Sequence, residues 1–129
     1  MLSQLVTCAR SQVAPMSLPR GGLTLSAVGN CLFAIGGYAK SHVVGMVEVF
    51  NTETQVWNQV TEMPKPRDEH CAAVSGDRIY VFGGWRQMPH KPVENELTDV
   101  EYYEVSTDTW RAPPQPMKLP RRQCAATVT

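Results

Sequence analysis

Short apolar runs alternate with turn residues along most of the chain, and each run has the length of one β-strand. Turn signals such as Gly29-Asn30 and Gly76-Asp77 separate the runs, and nothing between them has a helical period. The pattern predicts an all-β chain in two sets of four strands. The predicted strands fall at 23–28, 31–35, 45–50, 55–60, 70–74, 78–82, 99–104 and 109–112.

Landmark residues recur at a constant spacing, which indicates an internal repeat. The doublet Gly36-Gly37 returns 47 residues later as Gly83-Gly84, and Trp57 returns 53 residues later as Trp110. The second unit therefore carries six extra residues in the loop after its doublet. Units of ~45–50 residues with four antiparallel strands are typical of propeller blades.

The repeated signature is a glycine doublet after an apolar strand, then an aromatic residue, then six residues and a tryptophan. It resembles the kelch repeat, most closely the kelch region of BTB-kelch proteins, whose phrasing Ala14-Pro-Met16 and Pro19-Arg20 also match. The resemblance implies a partial kelch β-propeller, with two complete four-stranded blades and flanking partial blades. Structural roles are expected for Gly36, Gly37, Phe50, Trp57, Gly83, Gly84, Tyr103 and Trp110.

The spacing also sets the expected domain boundaries. Residues 1–15 are a divergent N-terminal segment or a remnant of a preceding blade, because Arg10 stands where that blade would carry its tryptophan. The two kelch repeats span 16–67 and 68–121, and 122–129 would be the first strand of a further repeat. Closed propellers need ~4–8 blades. We therefore expect a fragment, a short form or a self-associating chain that is poorly soluble alone.

In kelch proteins, partners bind the loops that join the second strand to the third and one blade to the next. The corresponding loops here are 38–44, 85–98, 64–69 and 113–123. Two interpretations stay open for the arginines that follow Pro19, Pro66 and Pro120: framework bonds between blades, or display to a partner. Trp85 is either an interface anchor or folded back on its blade. The candidate contacts are Arg20, Tyr38, Arg67, Glu69, Trp85, Arg86, Gln87, His90, Arg121, Arg122 and Gln123.

Composition narrows the classes of partner. Twelve basic residues balance twelve acidic ones, so no positive field would attract nucleic acid or an anionic membrane. No apolar run is long enough to span a bilayer, and the N-terminal residues lack the order of a secretory signal, although a weak mitochondrial presequence stays open. Cys8, Cys31, Cys71 and Cys124 are too far apart for a zinc knuckle or a CxxC pair. Buried free thiols in a reducing, cytoplasmic setting are expected.

The leading functional hypothesis is a non-catalytic protein-interaction module without metal or cofactor. The resemblance implies substrate recognition for a cullin-RING ubiquitin ligase, so the partner would be a ubiquitination substrate; binding to actin is the alternative. A copper oxidase resembling galactose oxidase is a third hypothesis, which needs tyrosine, histidine and cysteine converging on copper. His42, His70 and His90 occupy different places within their units, and Cys124 replaces His70 in the following unit. These positions disfavour the third hypothesis.

Overall fold

The computed structural model describes residues 11–87 and 95–126, and the predicted contact residue His90, together with Cys8 and Arg10, lies outside them. These residues form two four-stranded antiparallel sheets and one short hairpin. The strands are β1 (Thr24–Val28), β2 (Cys31–Ile35), β3 (Tyr38–Ala39), β4 (His42–Val43), β5 (Val47–Asn51), β6 (Val56–Val60), β7 (Cys71–Ser75), β8 (Arg78–Phe82), β9 (Val100–Glu104) and β10 (Thr109–Arg111).

The two sheets match the predicted blades, and we call them blade 1 and blade 2. Blade 1 has the strand order β1-β2-β5-β6, and blade 2 has the equivalent order β7-β8-β9-β10. Every strand predicted for the two blades is present, with ends within two residues of the expected ones. The further strand expected at 122–129 is not formed over 122–126, and the rest of it lies outside the described residues. The prediction of an all-β chain with two complete four-stranded blades is confirmed. The one helical element in the described ranges is a single 3-10 turn at Val105–Thr107, and these ranges contain no helix that could cross a membrane.

The principal core lies where the two blades face each other. Its buried apolar side chains come from both sheets, and the rings of Phe33 and Tyr103 meet across the interface at a centroid distance of 5.8 Å. Each fully buried side chain of this kind contributes ~1.5–3 kcal/mol. Each blade therefore depends on its neighbour for burial. The core consists of Phe33, Ile35, Val47, Met63, Ile79, Val81 and Tyr103.

The glycine doublets join each blade to the segment that leads into the next blade. Gly37 donates its N–H to the carbonyl of Arg67 at 2.9 Å, and Gly84 donates to the carbonyl of Arg121 at 2.6 Å. Gly36 has φ +64°, and a methyl group there would lie 2.7 Å from the same Arg67 oxygen. A side chain would therefore both strain the backbone and force the blades apart.

The two repeated tryptophans occupy equivalent settings. Each packs against the aromatic ring of the adjacent strand, with centroid distances of 5.1 Å for Phe50–Trp57 and 5.2 Å for Tyr103–Trp110. Each indole N–H donates to a backbone carbonyl in the segment preceding its own blade, at 2.7 Å for Trp57 and 2.9 Å for Trp110. The indoles thus tie the outer strand of a blade to the chain that enters it.

Candidate partner-binding surface

Arg20 lies inside blade 1, although the sequence made it a candidate for partner contact. Its side chain is 0% exposed and forms an ion pair with Glu48 at 2.6 Å. Its other donors reach the carbonyls of Gly36 at 2.7 Å and Ala34 at 2.9 Å. Burial alone would raise the pKa of Glu48, but hydrogen bonds from Ser17 and Arg20 outweigh it and hold that pKa below its usual value.

Arg67 repeats this arrangement in blade 2. It is 0% exposed, pairs with Glu101 at 2.9 Å, and donates to the carbonyls of Gly83 at 2.9 Å and Asp99 at 3.1 Å. Burial lowers the pKa of Arg67 and raises that of Glu101. The assignment of Arg20 and Arg67 as partner contacts is therefore wrong: their donors are satisfied within the framework, and no surface of either guanidinium is available to a ligand.

Arg121 follows the same proline motif but has a different setting. Its backbone joins blade 2, since its carbonyl accepts from Gly84 and its N–H donates to Leu97 at 3.3 Å. Its side chain is exposed and makes no hydrogen bond or ion pair within the described ranges. Arg121 therefore stays a candidate contact, with five donors facing solvent.

An exposed polar group lies where blade 2 meets the segment that follows it. Gln123 donates to Glu69 at 2.9 Å, and Arg122 pairs with Glu96 at 3.1 Å and approaches the second Glu69 oxygen at 3.7 Å. The side chains of Arg122 and Glu96 are each 46% exposed. Exposed pairs of this kind contribute ~0–1 kcal/mol, so a partner can displace them at small cost. We call Glu69, Glu96, Arg122 and Gln123 the rim cluster.

Trp85 stands next to the rim cluster with its backbone held on both sides. Its N–H donates to the Asp68 carbonyl at 2.9 Å, the Asp68 N–H donates back at 3.0 Å, and a second bridge joins it to Glu96. The neighbouring Arg86 donates its backbone N–H to Asn95 at 3.0 Å. Trp85 and Arg86 are half-buried and Gln87 is exposed. Trp85 is therefore held on the blade by its backbone while part of it faces solvent, and its role as an interface anchor stays a prediction.

Tyr38 occupies in blade 1 the position that Trp85 has in blade 2. It exchanges two backbone hydrogen bonds with Gly21, at 2.8 and 3.1 Å, and its side chain is 45% exposed. It begins the hairpin of β3 and β4, which borders a groove of about 530 Å³ whose lining includes Lys40 and His42. The sequence predicts a binding loop here but not the hairpin, because two-residue strands carry no periodic pattern.

His70 is buried at the contact between the blades. Its Nε2 lies 2.9 Å from Thr24 Oγ1. Burial, with a smaller contribution from Arg67, lowers its pKa to about 4, so the ring is neutral at physiological pH. Across residues 11–87 and 95–126, the His, Cys, Asp and Glu side chains form no group of three or more that could hold a metal ion.

Comparison with known proteins gives consistent matches to kelch proteins. Residues 4–129 match the family model described as the KLHDC2/KLHL20/DRC7 Kelch-repeats domain. An F-box/kelch-repeat protein of Arabidopsis thaliana is 31% identical over 87 residues, covering 67% of this chain and 24% of that protein. Kelch-like protein 33 of Homo sapiens is 34% identical over 73 residues, covering 57% of this chain and 14% of that protein. The chain thus spans about a quarter or less of these relatives' length.

Proposed function

Since the chain belongs to the kelch-repeat family, we propose that it is a non-catalytic protein-interaction module whose binding surface is formed by the loops beside the rim cluster. One observation carries this proposal. The residues shared by the two repeats are engaged inside the scaffold, whereas the rim cluster and the part-exposed Trp85 lie together beside the end of β8. Loops held on a rigid scaffold are the usual location of binding residues.

Trp85 and the rim cluster would act together at this surface. A half-buried tryptophan with a fixed backbone loses little entropy when a partner covers it, which favours an anchor role. The Arg122–Glu69 and Arg122–Glu96 pairs can exchange for charges of the partner and so guide orientation. The exposed guanidinium of Arg121 offers a further bidentate donor for a carboxylate.

The finer proposal is substrate recognition within a BTB-kelch adaptor of a cullin-RING ubiquitin ligase in the cytoplasm. It is supported by the resemblance to BTB-kelch repeats and by the similarity to Kelch-like protein 33. In this proposal the partner is a ubiquitination substrate, and further blades complete the propeller. Binding to actin is the competing hypothesis.

The test uses two arginines with matching exposure at opposite ends of blade 2. Arg122 is 46% exposed and pairs with Glu96, whereas Arg78, at the start of β8, is 47% exposed and pairs with Glu104. Tagged wild type, Arg122→Ala, Trp85→Ala and the control Arg78→Ala are purified from cells, and bound proteins are quantified by mass spectrometry. We expect the first two variants to lose the partners that wild type and Arg78→Ala keep. Equal retention by all four proteins, or equal loss in Arg78→Ala, would reject this surface.

The same preparations separate the finer hypotheses. Recovery of a cullin with wild type supports the adaptor proposal, and recovery of actin in its place supports cytoskeletal binding. If neither protein is recovered while Arg122→Ala still loses its partners, the adaptor role fails but the interaction surface stands.

A further inference from the structure

The first strand of each blade meets the start of the next repeat at a recurring joint. Glu69 donates its N–H to the carbonyl of Gly22 at 2.9 Å, and Gln123 donates to the carbonyl of Glu69 at 2.7 Å. The two bonds are equivalent, because each links the second residue after the motif arginine to its counterpart one repeat earlier. At each joint the backbone therefore brings together the residue two places after the acceptor and the residue one place after the donor.

At the first joint these positions carry Thr24 and His70, whose side chains are 2.9 Å apart. At the second joint the same positions carry Cys71 and Cys124. Cys71 is buried, and its thiol donates to the carbonyl of Phe82 at 3.7 Å. Cys124 is half-exposed, and both thiols are free.

We propose that Cys71 and Cys124 are a redox-active thiol pair that closes to a reversible disulfide across the joint between blade 2 and the following segment. The interaction with Cys124 is one cause of the raised pKa of Cys71, so the two thiols are neighbours at this joint. The side-chain contact at the first joint shows that the geometry of this position brings side-chain tips together. This inference does not depend on which partner the loops bind.

The oxidant can be a small-molecule disulfide such as oxidised glutathione. The thiolate of the more accessible Cys124 attacks one sulfur and expels one glutathione thiolate, which leaves a mixed disulfide on Cys124. The thiolate of Cys71 then attacks the Cys124 sulfur and expels the second glutathione thiolate. The two protein thiols lose two electrons and two protons, and two molecules of glutathione thiol are formed.

The order of attack follows from the environment of each thiol. Burial and the hydrogen bond with Cys124 raise the pKa of Cys71 to about 12, so this thiol is a poor first nucleophile. As the second nucleophile, Cys71 attacks a sulfur that the backbone holds at the same joint. The bridge would hold residues 121–123, and with them two members of the rim cluster, against blade 2.

Peptide mapping of the full chain tests the pairing directly. Purified protein is incubated with oxidised glutathione, remaining thiols are blocked with iodoacetamide, and the protein is digested with trypsin. We expect the dominant cross-linked species to join peptide 68–78, which contains Cys71, to peptide 123–129, which contains Cys124. Reduction before digestion should release both peptides, and Cys31 in peptide 21–40 should be recovered alkylated.

Two variants supply the controls. Cys31→Ser should form the same cross-link as wild type, and Cys124→Ser should form none. A stable glutathione adduct on Cys124 without the cross-link, a bridge from Cys71 to Cys8 or Cys31, or full alkylation of both thiols after oxidation would each overturn the proposal. The wild-type map decides the question even if a variant fails to fold.

Discussion

Blade 1 and blade 2 bury a carboxyl group at the same position, yet the pKa values of the two groups are shifted in opposite directions. The pKa of Glu48 is lowered, whereas burial raises that of Glu101. One contributor to the difference is the residue that lies three positions before each buried arginine. In blade 1 it is Ser17, whose hydroxyl and backbone N–H both bond to Glu48, and in blade 2 it is Pro64, which has neither donor.

The two blades share the buried arginine–glutamate pair but differ in how that pair's carboxyl group is stabilised. The arginine and its pairing with a glutamate are the same in both blades, so they belong to the scaffold. Burial and the neighbouring donors, Ser17 in blade 1 and the Lys65 backbone in blade 2, then affect how strongly each glutamate is held in its charged form. Equivalent positions can therefore share a geometry and differ in chemistry.

The largest expected effect comes from removing one scaffold arginine. Arg67→Met leaves Glu101 buried without its partner, and breaking a buried pair in this way costs ~3–5 kcal/mol of unfolding free energy. The exposed equivalent, Arg121→Met, should change the free energy by less than about 0.5 kcal/mol. Urea titration of both variants measures the difference. Similar losses at the two positions would show that they are not distinguished by burial.

Substitutions in the glycine doublets should cause the second-largest loss of unfolding free energy. In Gly36→Ala the added methyl group meets the Arg67 carbonyl at φ +64°, which should cost at least about 2 kcal/mol from backbone strain and overpacking together. Gly29 has a similar φ of +58° with open space around it, so Gly29→Ala isolates the backbone strain at ~1 kcal/mol. Thermal or urea unfolding gives both values. Equal costs would mean that the close approach between blades is easily relieved.

Weakening the hydrogen bonds to Asp108, which we call the Asp108 clamp, should cause a smaller loss of unfolding free energy. Asp108 accepts hydrogen bonds from Tyr103 at 2.6 Å and from the Thr61 hydroxyl at 2.8 Å, which joins blade 2 to the end of blade 1. Asp108→Asn keeps the left-handed backbone but weakens both bonds, with an expected loss of ~0.5–1.5 kcal/mol. Gln55, the blade 1 equivalent, is the control, and Gln55→Asn should be neutral within about 0.5 kcal/mol. A neutral Asp108→Asn would contradict the clamp.

The smallest effect concerns the pH dependence of stability. The folded-state pKa of Glu48 lies below its usual 4.5, so its contribution is complete above pH 4.5 and is lost as the pH falls through the folded value. Glu101 has the opposite sign: its contribution is complete below pH 4.5 and declines as the pH rises toward its raised folded value.

Glu48→Gln should therefore flatten the acid side of the stability profile, and Glu101→Gln should flatten the side above pH 4.5. Unfolding free energies measured between about pH 3 and about pH 7 test this pair. Profiles that change in the same direction in both variants would refute the role assigned to Ser17 and Pro64.

The sequence predicted the strands because their apolar runs and turn signals repeat at fixed spacings. The burial of Arg20 and Arg67 could not be decided, because arginine suits both frameworks and interfaces. One signal was available: Glu48 and Glu101 each interrupt an apolar strand at equivalent positions, and an inward-facing charge needs a partner. The family resemblance placed Glu69, Arg122 and Gln123 in candidate loops, but their grouping with Glu96 gave no signal, since three separate segments of the chain meet there.

The bonds from Gly37 to Arg67 and from Gly84 to Arg121 make each blade depend on the segment that follows its outer strand. A blade gains this hydrogen bond only when the segment that leads into its successor is in place. Loss of structure in one of those segments would thus loosen the blade upstream before the blade downstream, and amide exchange at Gly37 and Gly84 would report it.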